Sequence, residues 1–224
     1  MIAFLRSPSA IQFFGISGSL VAILGSLLAG VVYRGREGER YSPLNHFISE
    51  LGEIGVSRWA WAFNLGLFLG GLLLLPCCIG IGLLIPGIWS ILGVACGCIA
   101  AVAVSLVGVF PMNNLTMHNR AAMTFFRLGL AMILFLTIAI FTQPGPNPPL
   151  PRSIGLVGLP AIFSYSAFLI DTGRRTASVE TNPPLDPAVP EPEPPRPRIW
   201  ALTVYEWLVF LTTIPWFFAI SLGL

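Results

Sequence analysis

Two short polar segments hold both histidines of this chain, and with them most of the residue types that could do chemistry. The first runs Tyr41-Ser42-Pro43-Leu44-Asn45-His46-Phe47-Ile48-Ser49-Glu50-Leu51-Gly52-Glu53, and the second runs Pro111-Met112-Asn113-Asn114-Leu115-Thr116-Met117-His118-Asn119-Arg120. A short helix capped by Asn45 would set His46, Ser49 and Glu50 at i, i+3 and i+4, on one face. Leu44, Phe47, Ile48 and Leu51 would then face lipid or the protein interior, as in an amphipathic interfacial piece. With His118 brought in from the second segment, His46, Glu50 and His118 form the donor set of a catalytic zinc site with one position left for water. Zinc held there would activate that water against an ester or amide. A second chemistry takes Ser49 as nucleophile and His46 as its general base, with Glu50 or His118 orienting the imidazole. Placement three residues apart on one short helix aligns such a pair poorly. The plain alternative is mechanical: Ser49, Glu50 and both histidines tie loop to scaffold, or meet lipid phosphates beside Arg58 and Arg120, with Asn119 in the same polar rim.

The elements that must position these residues are apolar runs. The chain has 224 residues, 55% hydrophobic and only 10% charged, with mean hydropathy +0.81. Soluble domains carry about 25% charged residues, so lipid is the solvent this composition calls for. Six runs of membrane-spanning length are expected at Ile11–Tyr33, Ala60–Leu84, Ile88–Phe110, Ala121–Phe141, Ile154–Ile170 and Ile199–Leu222. Backbone polar groups have no partner in hydrocarbon, so the fold class is all-α, a single polytopic bundle of six transmembrane helices over residues 1–224. The first run is too long for the core of a signal peptide and reads as a retained span. Pro76, Pro160 and Pro215 fall inside spans two, five and six. Trp59, Trp61, Trp89 and Trp200 mark span ends, where tryptophan favours the membrane interface.

Charges within the spans are few. Arg127 and Glu206 lie at similar depth, so a mutual ion pair is expected, with Asn64 and Tyr205 completing a hydrogen-bonded cluster and a candidate ligand site. Small residues recur every four positions as Ala62, Gly66 and Gly70, then as Gly93, Gly97, Ala101 and Ser105. These stripes predict close packing of spans two and three, joined by the tight turn at Pro86-Gly87, and offer a face for a protein partner or a second copy. Cys77, Cys78, Cys96 and Cys98 sit within apolar runs and read as small buried hydrophobes, not as metal ligands or disulfides. The Asn114-Leu115-Thr116 sequon lies too close to the membrane to count.

All twelve basic residues are arginine, the net charge is +2, and no basic face of the kind nucleic acid demands is present. An even number of spans puts both termini on one side. The opposite, loop side collects Arg34, Arg36, Arg40, Arg58, Arg120, Arg174, Arg175, Arg196 and Arg198, against Arg6 and Arg152 on the terminal side. Arginine bias makes the loop side cytoplasmic and the termini external. Residues 172–198, with Pro190-Glu191-Pro192-Glu193-Pro194-Pro195, are expected to form an extended Pro-rich tether.

The block Asn45-His46-Phe47-Ile48-Ser49-Glu50-Leu51-Gly52 after a first span resembles the signature of domain-of-unknown-function family nine-nine-eight, six-span prokaryotic membrane proteins. Phe110-Pro111 followed by His118-Asn119-Arg120-Ala121-Ala122 is similar to that family's second block. The architecture is also similar to the Frag/DRAM membrane proteins, whose members include lipid-remodelling factors. The resemblance implies a prokaryotic plasma membrane and lipid-linked work, and carries no catalytic role onto any residue here. The leading expectation is a protein that binds lipid head groups, or is membrane-structural, through a polar loop-side pocket. A metal-dependent hydrolase or acyl-transfer enzyme and an accessory subunit of a membrane complex are the alternatives. A transporter fits less well, because no paired broken helices suggest inverted repeats.

Overall fold

The computed structural model describes residues 1–181 and 196–224, the side chains of 178–181 excepted. A short α1 (Ile2–Leu5) precedes α2 (Pro8–Val32), α3 (Ala60–Leu84), α4 (Ile88–Val109), α5 (Leu115–Phe141), α6 (Gly155–Thr181) and α7 (Ala201–Leu222). Single 3-10 turns occur at Ile48–Gly52, Met112–Asn114 and Arg152–Ile154, and no strand occurs among the described residues. Six helices are long and apolar enough to cross a membrane. Their outer faces carry Leu24, Leu27, Ile91, Phe163 and Leu211, all exposed, as expected of side chains whose solvent is lipid.

Three boundaries differ from the expectation by more than about two residues, each through a cap or a continued helix. The first span begins at Pro8 because the Ser7 hydroxyl accepts the Ala10 N–H (3.3 Å) and proline suits the first helical position. The fourth begins at Leu115, where the Asn114 side chain accepts the Met117 N–H (3.2 Å). This places His118, Asn119 and Arg120 on a helix instead of in a loop. The fifth runs on to Thr181, past the expected end at Ile170, with Asp171 and Arg175 paired one turn apart at 2.9 Å. The expected tether is therefore helical over 172–181; its proline run lies outside the described residues.

The small-residue stripes also find different partners. Ala62, Gly66 and Gly70 of α3 face α2, where a Cβ on Gly25 would lie 2.5 Å from the Ala62 carbonyl oxygen and 3.0 Å from the Gly66 Cα. On α4, Gly93 and Gly97 accommodate Leu136 and Met132 of α5. The loop-side end of that stripe joins α3 most closely: the Ser105 hydroxyl donates to the Phe68 carbonyl at 3.0 Å, and Gly71 lies against Ala101 and Ser105. Both stripes thus serve packing inside the bundle. The hairpin turn itself needs glycine, since Gly87 has φ +121°. Aromatic packing of Phe126 on Phe168 (centroids 4.0 Å apart) and of Tyr165 near Phe125 fastens α6 to α5.

Candidate functional site

The loop between α2 and α3 folds back over the loop-side end of the bundle, and two carboxylates hold its 3-10 turn there. A helix start exposes amide donors that need acceptors. The Glu50 carboxylate, one turn on, accepts the Phe47 N–H at 2.9 Å, and Glu206 of α7 accepts the adjacent Ile48 N–H at 2.7 Å. The cap is therefore Phe47, not Asn45, and Glu206 serves the turn instead of Arg127. Arg127 stands exposed on the outer face of α5 and has no ion pair among the described residues. The expected Arg127–Glu206 pair does not form because the two side chains lie on different faces.

Further bonds stitch this plug to its surroundings. Arg196, just before α7, binds both Glu50 oxygens (3.0 and 2.9 Å) and the Asn45 carbonyl (3.1 Å). The Trp200 N–H donates to the Leu44 carbonyl at 2.8 Å. The Trp207 indole donates to the Tyr41 hydroxyl (2.8 Å), which donates in turn to the Phe47 carbonyl (2.9 Å). Asn113 exchanges a pair of bonds with the Ile54 backbone at 2.8 and 2.9 Å, and the Asn64 amide donates to the Gly52 carbonyl at 3.0 Å. Gly52 is dictated by that contact, because a Cβ would collide with the Asn64 Oδ1 and the Phe63 ring. Tyr41, Asn113, Arg196 and Trp207 were not among the expected site residues.

Beneath the plug lies a cavity of about 110 Å³ walled by α2, α3, α4, α5 and α7. Along α3 it reaches from Phe63 to Cys78, about 22 Å of helix rise. Its wall is almost wholly apolar, with Leu74 and Met132 toward the deep end. At the loop-side end the polar residues Ser49, His118 and Glu206 line it, each buried. The Ser49 hydroxyl donates to the Met112 sulfur (3.5 Å), and the His118 Nδ1–H donates to the Phe110 carbonyl (2.9 Å). Ser49 and Glu206 are neighbours through the Ile48 amide, and Ser49 and His118 through the 110–112 corner.

The expected site thus divides. Ser49, His118 and Glu206 meet at the chamber, whereas His46, Glu50 and Asn64 belong to the plug. Asn119, Arg120 and Arg127 are exposed, and Tyr205 is half-buried beside the core. The zinc set is not formed: no three His, Cys, Asp or Glu side chains come together as a cation site among the described residues. Glu50 is taken up by Arg196 and the Phe47 amide. His46 is buried with its Nδ1 2.8 Å from the Asn45 Oδ1, and its Nε2 approaches only Glu39, at 3.7 Å. Nor does Ser49 bond His46, so the nucleophile–base pair is absent. Cys77 and Cys78 are buried, Cys96 and Cys98 half-buried, and all four are free thiols.

Burial pushes the Tyr41 phenol well above its ordinary 10.0; the Trp207 bond opposes this, and the Glu206 and Glu50 carboxylates add to it. Tyr33, which donates to Glu50 at 3.4 Å, is raised for the same first reason. Below about pH 10 both phenols are neutral whether the chain is folded or not, so neither adds a pH dependence to stability there. Above it their phenols ionise first in the unfolded chain, and the stability they contribute falls as pH rises. In an alkaline titration followed at the phenolate absorbance, the Tyr41 contribution, isolated against Tyr41→Phe, is expected to appear only together with loss of helical circular dichroism.

Fold and site together define a multi-pass helical membrane protein whose internal chamber is closed on one side by a hydrogen-bonded plug. The family model described as "Protein of unknown function (DUF998)" matches residues 18–222, and the chain belongs to that family. No curated protein and no solved structure matches it.

Proposed function

We propose that this protein binds a single-chain lipid, with the apolar chain in the chamber and the head at the loop-side end among Ser49, His118 and Glu206. The observation that carries this reading is the chamber: a long apolar bore with Ser49, His118 and Glu206 gathered at one end and the deeper Thr213 hydroxyl bonded to Tyr165, a distribution of polarity that suits an amphiphile. An apolar site lined along about 22 Å of helix suits an extended hydrocarbon chain better than a compact solute. Arginine placement supports a cytoplasmic loop side, which would turn the head-group end toward the cytoplasm of a prokaryotic plasma membrane. Native mass spectrometry of the protein released from mild detergent tests the reading. Retained lipid is expected on the wild type and is expected to be lost from Ala122→Phe, which puts a ring into the chamber.

A second reading, a subunit of a larger membrane complex, is favoured by one observation. Arg127 is exposed within the fourth span with no ion pair among the described residues, and a lone charge there is expensive. A protein partner offering an intramembrane carboxylate would neutralise it. If that reading holds, a stoichiometric protein accompanies the wild type on purification and is lost from Arg127→Leu; a wild type that purifies alone removes it.

A further inference from the structure

The geometry points to a narrower ligand for the chamber: a single-chain amphiphile whose head donates hydrogen bonds and bears no negative charge, a hydroxyl or an ammonium. This rests on the chamber-binding reading above. The argument comes from which hydrogen-bonding capacities remain at the loop-side end once the protein's own bonds are made.

His118 Nδ1 lies 2.9 Å from the Phe110 carbonyl oxygen, which can only accept, so Nδ1 carries the hydrogen and Nε2 of the neutral ring is left as an acceptor. Glu206 uses one carboxylate oxygen for the Ile48 N–H at 2.7 Å; its other oxygen has no protein partner among the described residues, although the residue is only 7% exposed. Ser49 spends its hydrogen on the Met112 sulfur at 3.5 Å and keeps its oxygen lone pairs. Among the described residues no arginine lines the chamber, and the chain contains no lysine. The head-group end therefore presents acceptors without a cation. A phosphate or carboxylate head would bring a negative charge into a site shielded from water, with no cation there to neutralise it. A hydroxyl satisfies the free acceptors, and so does an ammonium. The arginines of the loop-side rim, Arg58 and Arg120, are exposed outside the chamber and cannot supply the missing cation there.

The test uses three palmitoyl-length probes offered in turn to delipidated wild-type protein in a neutral detergent: monopalmitoylglycerol, hexadecylamine and palmitoyl lysophosphatidic acid. Occupancy is read by native mass spectrometry, with Ala122→Phe as the blank. The glycerol or the amine probe, or both, should bind about tenfold more tightly than the phosphate probe, and whichever binds identifies the head. In Glu206→Gln, whose amide oxygen can still accept the Ile48 N–H, the preference should collapse to near parity. Equal or tighter binding of lysophosphatidic acid to the wild type overturns the donor-head inference and leaves chamber binding standing. A preference untouched in Glu206→Gln overturns it too. No probe bound above the blank removes both readings. Should Glu206→Gln fail to fold, the ranking on the wild type alone decides.

Discussion

Glu50→Ala should be among the most destabilising single substitutions in this protein, by about 3–5 kcal/mol. The carboxylate is 5% exposed and holds the Phe47 amide, both contacts of the Arg196 guanidinium and the Tyr33 hydroxyl. Truncation leaves an amide donor unpaired at the start of the 3-10 turn and a guanidinium facing an emptied site. Arg196→Ala removes the other half of the pair. Its side chain is 43% exposed, so water can replace part of what is lost, and about 2 kcal/mol is the expected loss. The two losses should not add, because each variant already breaks the same contact. Unfolding in detergent, followed by circular dichroism for both single variants and the double, measures this directly. Full additivity, or a Glu50→Ala protein within about 0.5 kcal/mol of wild type, would show that the pair does not hold the plug.

Ala122→Phe should remove bound lipid almost completely, at least about tenfold in occupancy. Ala122 lies one turn beyond His118 on α5 and faces the chamber. A phenyl ring there would obstruct the bore beside the polar end where the head and the chain meet. Filling an empty cavity in a bundle need not weaken the fold and can strengthen it. Loss of ligand with unchanged or raised thermal stability would separate occupancy from unfolding. Leu72→Phe, on the exposed face of α3, adds similar bulk toward lipid and should leave occupancy unchanged. Equal lipid retention in both variants would place the retained lipid on the outer surface, not in the chamber.

The six spans were legible because each is an unbroken apolar run longer than the hydrocarbon is thick, a signal that survives any rotation of the helix. Rotation is what sequence depth does not supply. Arg127 and Glu206 were matched by depth, yet the buried stripe of α5 runs His118, Ala121, Phe126, Gly129, Ile133 and Leu136, and Arg127 falls off it. Glu206 falls on the buried stripe of α7 with Thr203, Val209 and Thr213, so its inward position could have been read. Its partner could not, because a main-chain amide 158 residues away leaves no mark in composition. The block around His46 is legible in the sequence as polar, but the partners of its side chains are not. His46 and Glu50 are consumed by local capping and by Arg196, and only the three-dimensional return of the loop decides this. Tyr41 and Trp207 escaped notice because an interfacial aromatic is ordinary in a membrane protein until its polar tip finds a specific mate.

The bonds that tie the plug to the last helix and the residues just before it join residues 41–50 to residues 196–207, across sequence separations of 146 to 166. During synthesis the first loop emerges long before any of those mates exists, since chains are made and begin to fold from the amino end. Until the final helix enters the bilayer, the Ile48 amide and the Glu50 carboxylate lack their Glu206 and Arg196 contacts. The last helix is therefore the keystone of assembly, and a nascent chain that stalls before it presents an unsealed polar loop to the cell's quality-control machinery.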